Sequence, residues 1–119
     1  MRRTIQQFRE ERAAGQARLQ ASDHLGLKRF LRLDSATYED GKLPGRTKEL
    51  LGLVASAVLR CNDCIDYHLE QCVGAGFTRE EIVDGMNVAL VVGGSIVVPH
   101  LRHALGTLDE LIADRDHGT

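Results

Sequence analysis

The stretch Phe77-Thr78-Arg79-Glu80-Glu81-Ile82, running on through Val92 to Gly93-Gly94, has the clearest reading in the chain. Thr78 with Glu81 three residues later is a capping box, in which the hydroxyl and the carboxylate each satisfy one orphan amide of a helix start. Phe77 and Ile82 stand at the positions of a hydrophobic staple, and Gly93-Gly94 supplies the stop. The segment therefore predicts a helix to about Val92, and its neighbours follow the same pattern.

Upstream, Asn62 and Asp63 suit the first turn of a helix that ends at Gly74–Gly76. Before it, Arg46–Leu59 reads as a helix whose later part, Leu50–Leu59, carries no charge, so burial on nearly every side is expected. Asp40-Gly41-Lys42-Leu43-Pro44-Gly45 marks a loop. A helix over about Leu25–Glu39 shows an apolar stripe at Leu27, Phe30, Leu31 and Tyr38. Thr4–Ala21 is polar, with Ile5, Phe8 and Leu19 as its sparse apolar positions. It reads as an exposed helix, or as an arm (1–22) packed on another subunit. Downstream, a last helix is expected from near Ser95 to about Asp114, with Pro99 in its first turn or at a kink and a frayed tail from Asp114 to Thr119. No alternating β pattern, repeat or linker interrupts the series. The expectation is one all-α domain over residues 1–119, of about six helices, with a core region at 43–111.

Composition narrows the function. A chain of 119 residues is one domain's worth. Lys+Arg 15 against Asp+Glu 17 leaves no basic excess, and aromatics are 4% with no Trp. Neither a nucleic-acid footprint nor a base-stacking platform is expected. The longest apolar stretch, Val88–Val98, is interrupted by glycines and falls short of the ~20 residues of a membrane span. It and Leu50–Leu59 are nonetheless more apolar than one small domain needs, which points to burial shared between subunits. The first residues show no apolar core of a signal peptide, so a reducing, cytoplasmic setting is expected.

In that setting the pair Cys61-x-x-Cys64 means redox or metal chemistry. With Cys61 or Asn62 as helix cap, Cys64 lies in the first turn, where free amides and the helix dipole favour a thiolate. His68 follows Cys64 by four and shares its face, placed to take up the thiol proton. Cys61 stands within reach for a short disulfide. If the helices on either side of Arg60-Cys61 form an antiparallel hairpin, Glu49 faces Cys72, about one turn (~5 Å) from the level of His68. A carboxylate there relays protons or raises the basicity of the imidazole. Other readings stay open: buried, inert cysteines; a zinc site completed by His100 or His103; a first-turn Glu49 that only complements a helix dipole. Cys72 reads as packing, His100 and His103 as surface or cap residues.

The pattern Glu49-x11-Cys61-x2-Cys64-x3-His68 resembles the active-site signature of AhpD-like alkylhydroperoxidases, within the carboxymuconolactone decarboxylase superfamily. Its flanks agree: Lys48-Glu49-Leu50, then Ala75-Gly76-Phe77-Thr78-Arg79-Glu80-Glu81-Ile82, then Gly93-Gly94. The resemblance implies a compact all-α fold, single-repeat here, assembled into homo-oligomers such as trimers or hexamers. It implies thiol-dependent peroxide reduction by Cys61 and Cys64, a His68/Glu49 proton relay and no bound cofactor. Electrons would come from an external dithiol such as a lipoyl group, and a peroxiredoxin could be the partner. One position departs: the best-known members carry a His just before the second cysteine, where this chain has Asp63. A negative charge there opposes a Cys64 thiolate unless it points away. The superfamily's decarboxylases, which lack the cysteine pair, and a non-enzymatic redox-sensing or metal-binding oligomer are the competing functions.

Overall fold

The computed structural model describes residues 3–117, and Met1, Arg2, Gly118 and Thr119, the ends of the expected arm and tail, lie outside them. The helices are α1 (Ile5–Ala21), α2 (Leu25–Thr37), α3 (Gly45–Val58), α4 (Asn62–Gly74), α5 (Arg79–Gly93) and α6 (Val98–His117), with a 3₁₀ turn at Ser95–Val97 leading into the last. The all-α expectation holds.

Local chemistry explains most boundaries. The Thr78–Glu81 capping box forms, and Phe77 and Ile82 are both buried at the start of α5. Thr4 and Gln7 build a second capping box at α1. Gly94, at φ +81°, ends α5 in a backbone conformation that glycine adopts without steric cost. Pro99 sits in the first turn of α6, where its missing N–H costs nothing, so it does not kink the helix. Two ends differ from expectation. α2 stops at Thr37, because the ammonium of Lys48 takes the carbonyls of Thr37 and Glu39 (2.9 and 2.8 Å) and draws the chain toward α3. α6 runs on through Asp114 to His117, with Arg115 and His117 complementing its C-terminal dipole where fraying was expected.

α3 packs on α4 and α5, and α4 packs in turn on α6. Leu53 and Ala57, Ile65, Leu69 and Cys72, Ile82 and Met86, and Ala104 and Leu108 meet between them with almost no exposure. Truncating one such Leu or Ile to Ala costs ~2–5 kcal/mol. α1 adds Ile5 and Phe8 to this core, while α2 contributes no buried residue.

Within one chain, the expectation of all-round burial for Leu50–Leu59 is met only in part. Only the stripe facing α4 and α5 is covered, and Leu51 and Leu59 stand exposed, Leu59 by 76%. Phe30 and Leu33 on α2, and Val88, Val91 and Val92 on α5, are exposed as well. Of the predicted stripe, Leu27 and Phe30 stand exposed, while Leu31 and Tyr38 are half-buried within the chain. Among the described residues no helix is long and apolar enough to cross a membrane.

Candidate functional site

Cys61 is the N-cap of α4. Its sulfur accepts the amide of Cys64 (3.3 Å), and Ile65 N bonds back to its carbonyl (2.9 Å). Arg60, in the left-handed region at φ +60°, makes the sharp turn out of α3 that brings the cysteine to this position. Cys61 and Cys64 are joined as a disulfide, with Cα atoms 5.3 Å apart. Cys64 is exposed, and it lines an open cavity of about 440 Å³ together with Tyr67, His68, Phe8, Leu19 and Arg12. The helix α1, largely exposed as one of the two expectations had it, forms one wall of this cavity beside the sulfur of its own chain.

His68, one turn after Cys64, is buried. Its Nδ1 donates to Glu49 Oε1 at 2.9 Å, since a carboxylate only accepts. The expected offset of one turn is closed by the length of the glutamate side chain. Both tyrosines of the chain pack on this imidazole, the Tyr38 ring tilted at 5.3 Å and the Tyr67 ring edge-on at 5.2 Å. The hydroxyl of Tyr38 stands 3.4 Å from His68 Nε2. Gly52 leaves the space this needs: a Cβ there would lie 2.7 Å from His68 Cε1 and 2.8 Å from Tyr38 Oη. A second cavity of about 300 Å³ opens on Glu49, Tyr38, Tyr67 and Asp34. All four expected residues thus gather at one place. The structure nonetheless gives His68 no hydrogen bond to sulfur, because its two ring nitrogens face Glu49 and Tyr38.

Asp63, the departure from the family pattern, is paired. Its Oδ1 takes Arg3 Nη2 at 2.6 Å, and Arg3 also holds Glu11 at 2.7 Å. The hydrogen bond donated to Asp63, with that donated to Glu11, pushes the guanidinium pKa well up. The charge beside Cys64 is thereby offset by a cation from just before α1, though in a partly exposed pair that solvent weakens.

His100 and His103 do more than expected of surface residues. His100 Nδ1 donates to Asn62 Oδ1 and His103 Nε2 to Asp66 Oδ1, each at 2.8 Å. Asp66 is buried and also accepts from Thr107 (2.8 Å). These bonds tie the first turns of α4 to α6, and they turn both histidines away from a metal site with the cysteines. Among the described residues no group of three or more His, Cys, Asp or Glu could hold a metal ion. The sequence reading passed over Asp66, Tyr38, Tyr67 and Gly52. A signal existed only for Asp66: Asn62 and Asp66, four apart, match the polar stripe His100, His103, Thr107 on the facing helix.

Cys72 is buried and free, as expected of a packing residue. Burial, and secondarily the charge of Glu49, pushes its thiol up to about 12 from the ordinary 9.0. In fully reduced native protein Cys72 will therefore stay silent to a thiol reagent at neutral pH and react only on unfolding. The neutral thiol's share of stability is complete below pH 9.0 and is lost as pH climbs toward about 12. Native thiol counts at rising pH test both statements.

The sequence pattern of the carboxymuconolactone decarboxylase family matches residues 26–109, most of the chain. The chain belongs to the carboxymuconolactone decarboxylase family. This family includes AhpD-like proteins. Among relatives of this family member, an uncharacterized protein of the cox locus of Paracoccus denitrificans is 33% identical over 82 residues, 69% of this chain and 74% of that one. A carboxymuconolactone decarboxylase family protein of Thermotoga maritima, named for a suspected part in antioxidative response, has a solved structure. It is 53% identical, with a TM-score of 0.89 over 93% of this chain and 94% of that one. A Legionella pneumophila family protein in apo form, 24% identical, superposes with a TM-score of 0.82 over 90% and 96% of the two chains and attests the shared fold.

Proposed function

We propose that this family member is a thiol-dependent peroxidase and disulfide oxidoreductase of the AhpD-like type. The observation that carries the reading is a Cys61–Cys64 pair at a helix start whose exposed sulfur shares a cavity with a histidine bonded to a half-buried carboxylate. Fold analogy alone would carry little.

In the reaction we propose, the Cys64 thiolate attacks the distal oxygen of a hydroperoxide. The O–O bond breaks, Cys64 becomes a sulfenic acid, and the departing alkoxide takes a proton to leave as the alcohol. The Cys61 thiol then attacks the sulfenic sulfur, forms the disulfide and releases water. An external dithiol, a lipoyl group for example, reduces the pair by exchange and is itself oxidised. Exchange at the exposed Cys64 sulfur lets Cys61 leave as a thiolate that the Cys64 amide stabilises. His68 takes and returns the proton, and Glu49 orients it. The cavity, with Phe8, Leu19 and Tyr67 beside Arg12, suits a small organic hydroperoxide. No bound cofactor is required, and a peroxiredoxin-type partner could receive the reducing equivalents. A cytoplasmic location belongs to this proposal, since the chemistry needs a reducing pool.

Stoichiometric cumene hydroperoxide added to reduced protein should remove two thiols and leave one, Cys72, when thiols are counted after unfolding. Three thiols persisting would sink the redox reading. The proposal also includes a homo-oligomer, trimer or hexamer, because the exposed apolar side chains of α2 and α5 lack cover within the chain. Light scattering should give severalfold the 13.1 kDa of one chain, and a clean monomer would contradict this.

A further inference from the structure

We infer that Tyr38 is a positioning residue of the relay, its hydroxyl holding His68 Nε2 while Glu49 holds Nδ1. The inference rests on the reading of His68 as the group that takes the cysteine's proton. Since Nδ1 donates to Glu49, Nε2 of the neutral ring carries a lone pair, and the Tyr38 O–H is the donor that faces it at 3.4 Å. The hydroxyl fixes where that lone pair points. When the ring becomes imidazolium, the same oxygen accepts from Nε2–H. Burial, with the negative charges of Asp34 and Glu49, pushes the phenol up, so it remains a donor through the neutral range.

The placement of Tyr38 is built, and one face of α3 builds it. Gly45, Lys48, Glu49 and Gly52 recur at the spacing of a single helical face. Lys48 holds the carbonyls on either side of Tyr38, those of Thr37 and Glu39. Gly45 lets the start of α3 press against the Tyr38 carbonyl, which a Cβ there would meet at 2.5 Å. The Gly45 amide is also tied to Asp40 Oδ1 at 2.7 Å. Glu49 bonds the histidine, and Gly52 clears the room for the phenol and the imidazole. A tyrosine that merely filled space would need none of its neighbours' glycines at its hydroxyl end. The charged and titratable groups around His68 are Glu49 from α3, Asp34 from α2 and Tyr38 just after it, Asp63, Cys64 and Tyr67 from α4 itself, Glu11 and Arg12 from α1, and Arg3 just before it.

The test is Tyr38→Phe, which keeps the ring and deletes the hydroxyl. In ¹⁵N-histidine-labelled protein the Nε2 resonance of His68 should shift, and an unchanged resonance overturns the inference. In the reduced Cys61→Ser background, where Cys64 is the accessible thiol, Tyr38→Phe should slow iodoacetamide alkylation at neutral pH about tenfold and displace its pH profile. A residue acting through His68 adds nothing once His68→Gln is present, so the double variant should match His68→Gln alone. Multiplicative effects overturn the inference. If His68→Gln alkylates like its parent, the relay falls and the Nε2 resonance alone decides the place of Tyr38. Peroxide turnover of the unmodified protein is measured in parallel. Its absence beside a shifted resonance and a slowed alkylation would remove the peroxidase reading and leave the assignment of Tyr38 standing.

Discussion

Cys64→Ser will abolish turnover of cumene hydroperoxide with a dithiol reductant. Of the paired sulfurs, that of Cys64 faces the cavity, while Cys61 is the helix cap behind it. Serine in its place keeps the shape and loses the chemistry, since an unactivated hydroxyl is a weak nucleophile and cannot form the sulfenic acid on which the cycle depends. Cys61→Ser makes the complementary case. It should undergo the first oxidation and then stall as a sulfenic acid that dimedone captures by mass spectrometry. Turnover surviving in Cys64→Ser would assign the attack to another residue. A lyase activity on a small carboxylated substrate that survives loss of both cysteines would favour the family's decarboxylase chemistry.

Gly52→Ala is the second large effect, and it should separate activity from stability. A glycine inside a helix costs ~1 kcal/mol relative to alanine, so α3 itself would gain. The added methyl, however, would lie 2.7 Å from His68 Cε1, 2.9 Å from Nε2 and 2.8 Å from the Tyr38 hydroxyl. Carbon atoms settle at about 3.5–4.0 Å, so the imidazole must retreat by roughly an ångström. Both obstacles are the ends of side chains, which give way more cheaply than backbone. The fold should therefore lose or gain no more than about 1 kcal/mol, while a ~1 Å displacement of the proton acceptor costs on the order of a hundredfold in turnover. Thermal unfolding and steady-state rates on one preparation check this. A large drop in melting temperature with turnover intact would mean that the glycine serves packing and not the site.

How legible the molecule is in its sequence depends on how local each feature is. The helix starts at Thr78 and near Cys61 are written in adjacent residues, because a cap is a contact across one turn. The gathering of Cys61, Cys64 and His68 is legible for the same reason, as it needs only helical spacing. Helical spacing puts Glu49 a turn from the level of His68, while the two side chains bond directly, because spacing carries no crossing angle for the two helices. Tyr38 reaches the histidine across the 40–44 loop, from a helix whose docking depends on Lys48 and Gly45. In the sequence it is one more member of an apolar stripe. The charge-free run Leu50–Leu59 is less legible, because a lack of charge permits burial without saying what buries it, and within one chain Leu51 and Leu59 stay exposed.

The crowding of both tyrosines around His68, in a chain without tryptophan, has an optical consequence. The intrinsic ultraviolet emission of this protein comes from phenols that touch the relay. A change in charge on the imidazole, or a ligand entering beside Tyr67, alters the quantum yield with no background from elsewhere in the fold. Stopped-flow tyrosine fluorescence on the unlabelled wild-type chain thus watches the site alone, and Tyr38→Phe divides the signal between its two sources.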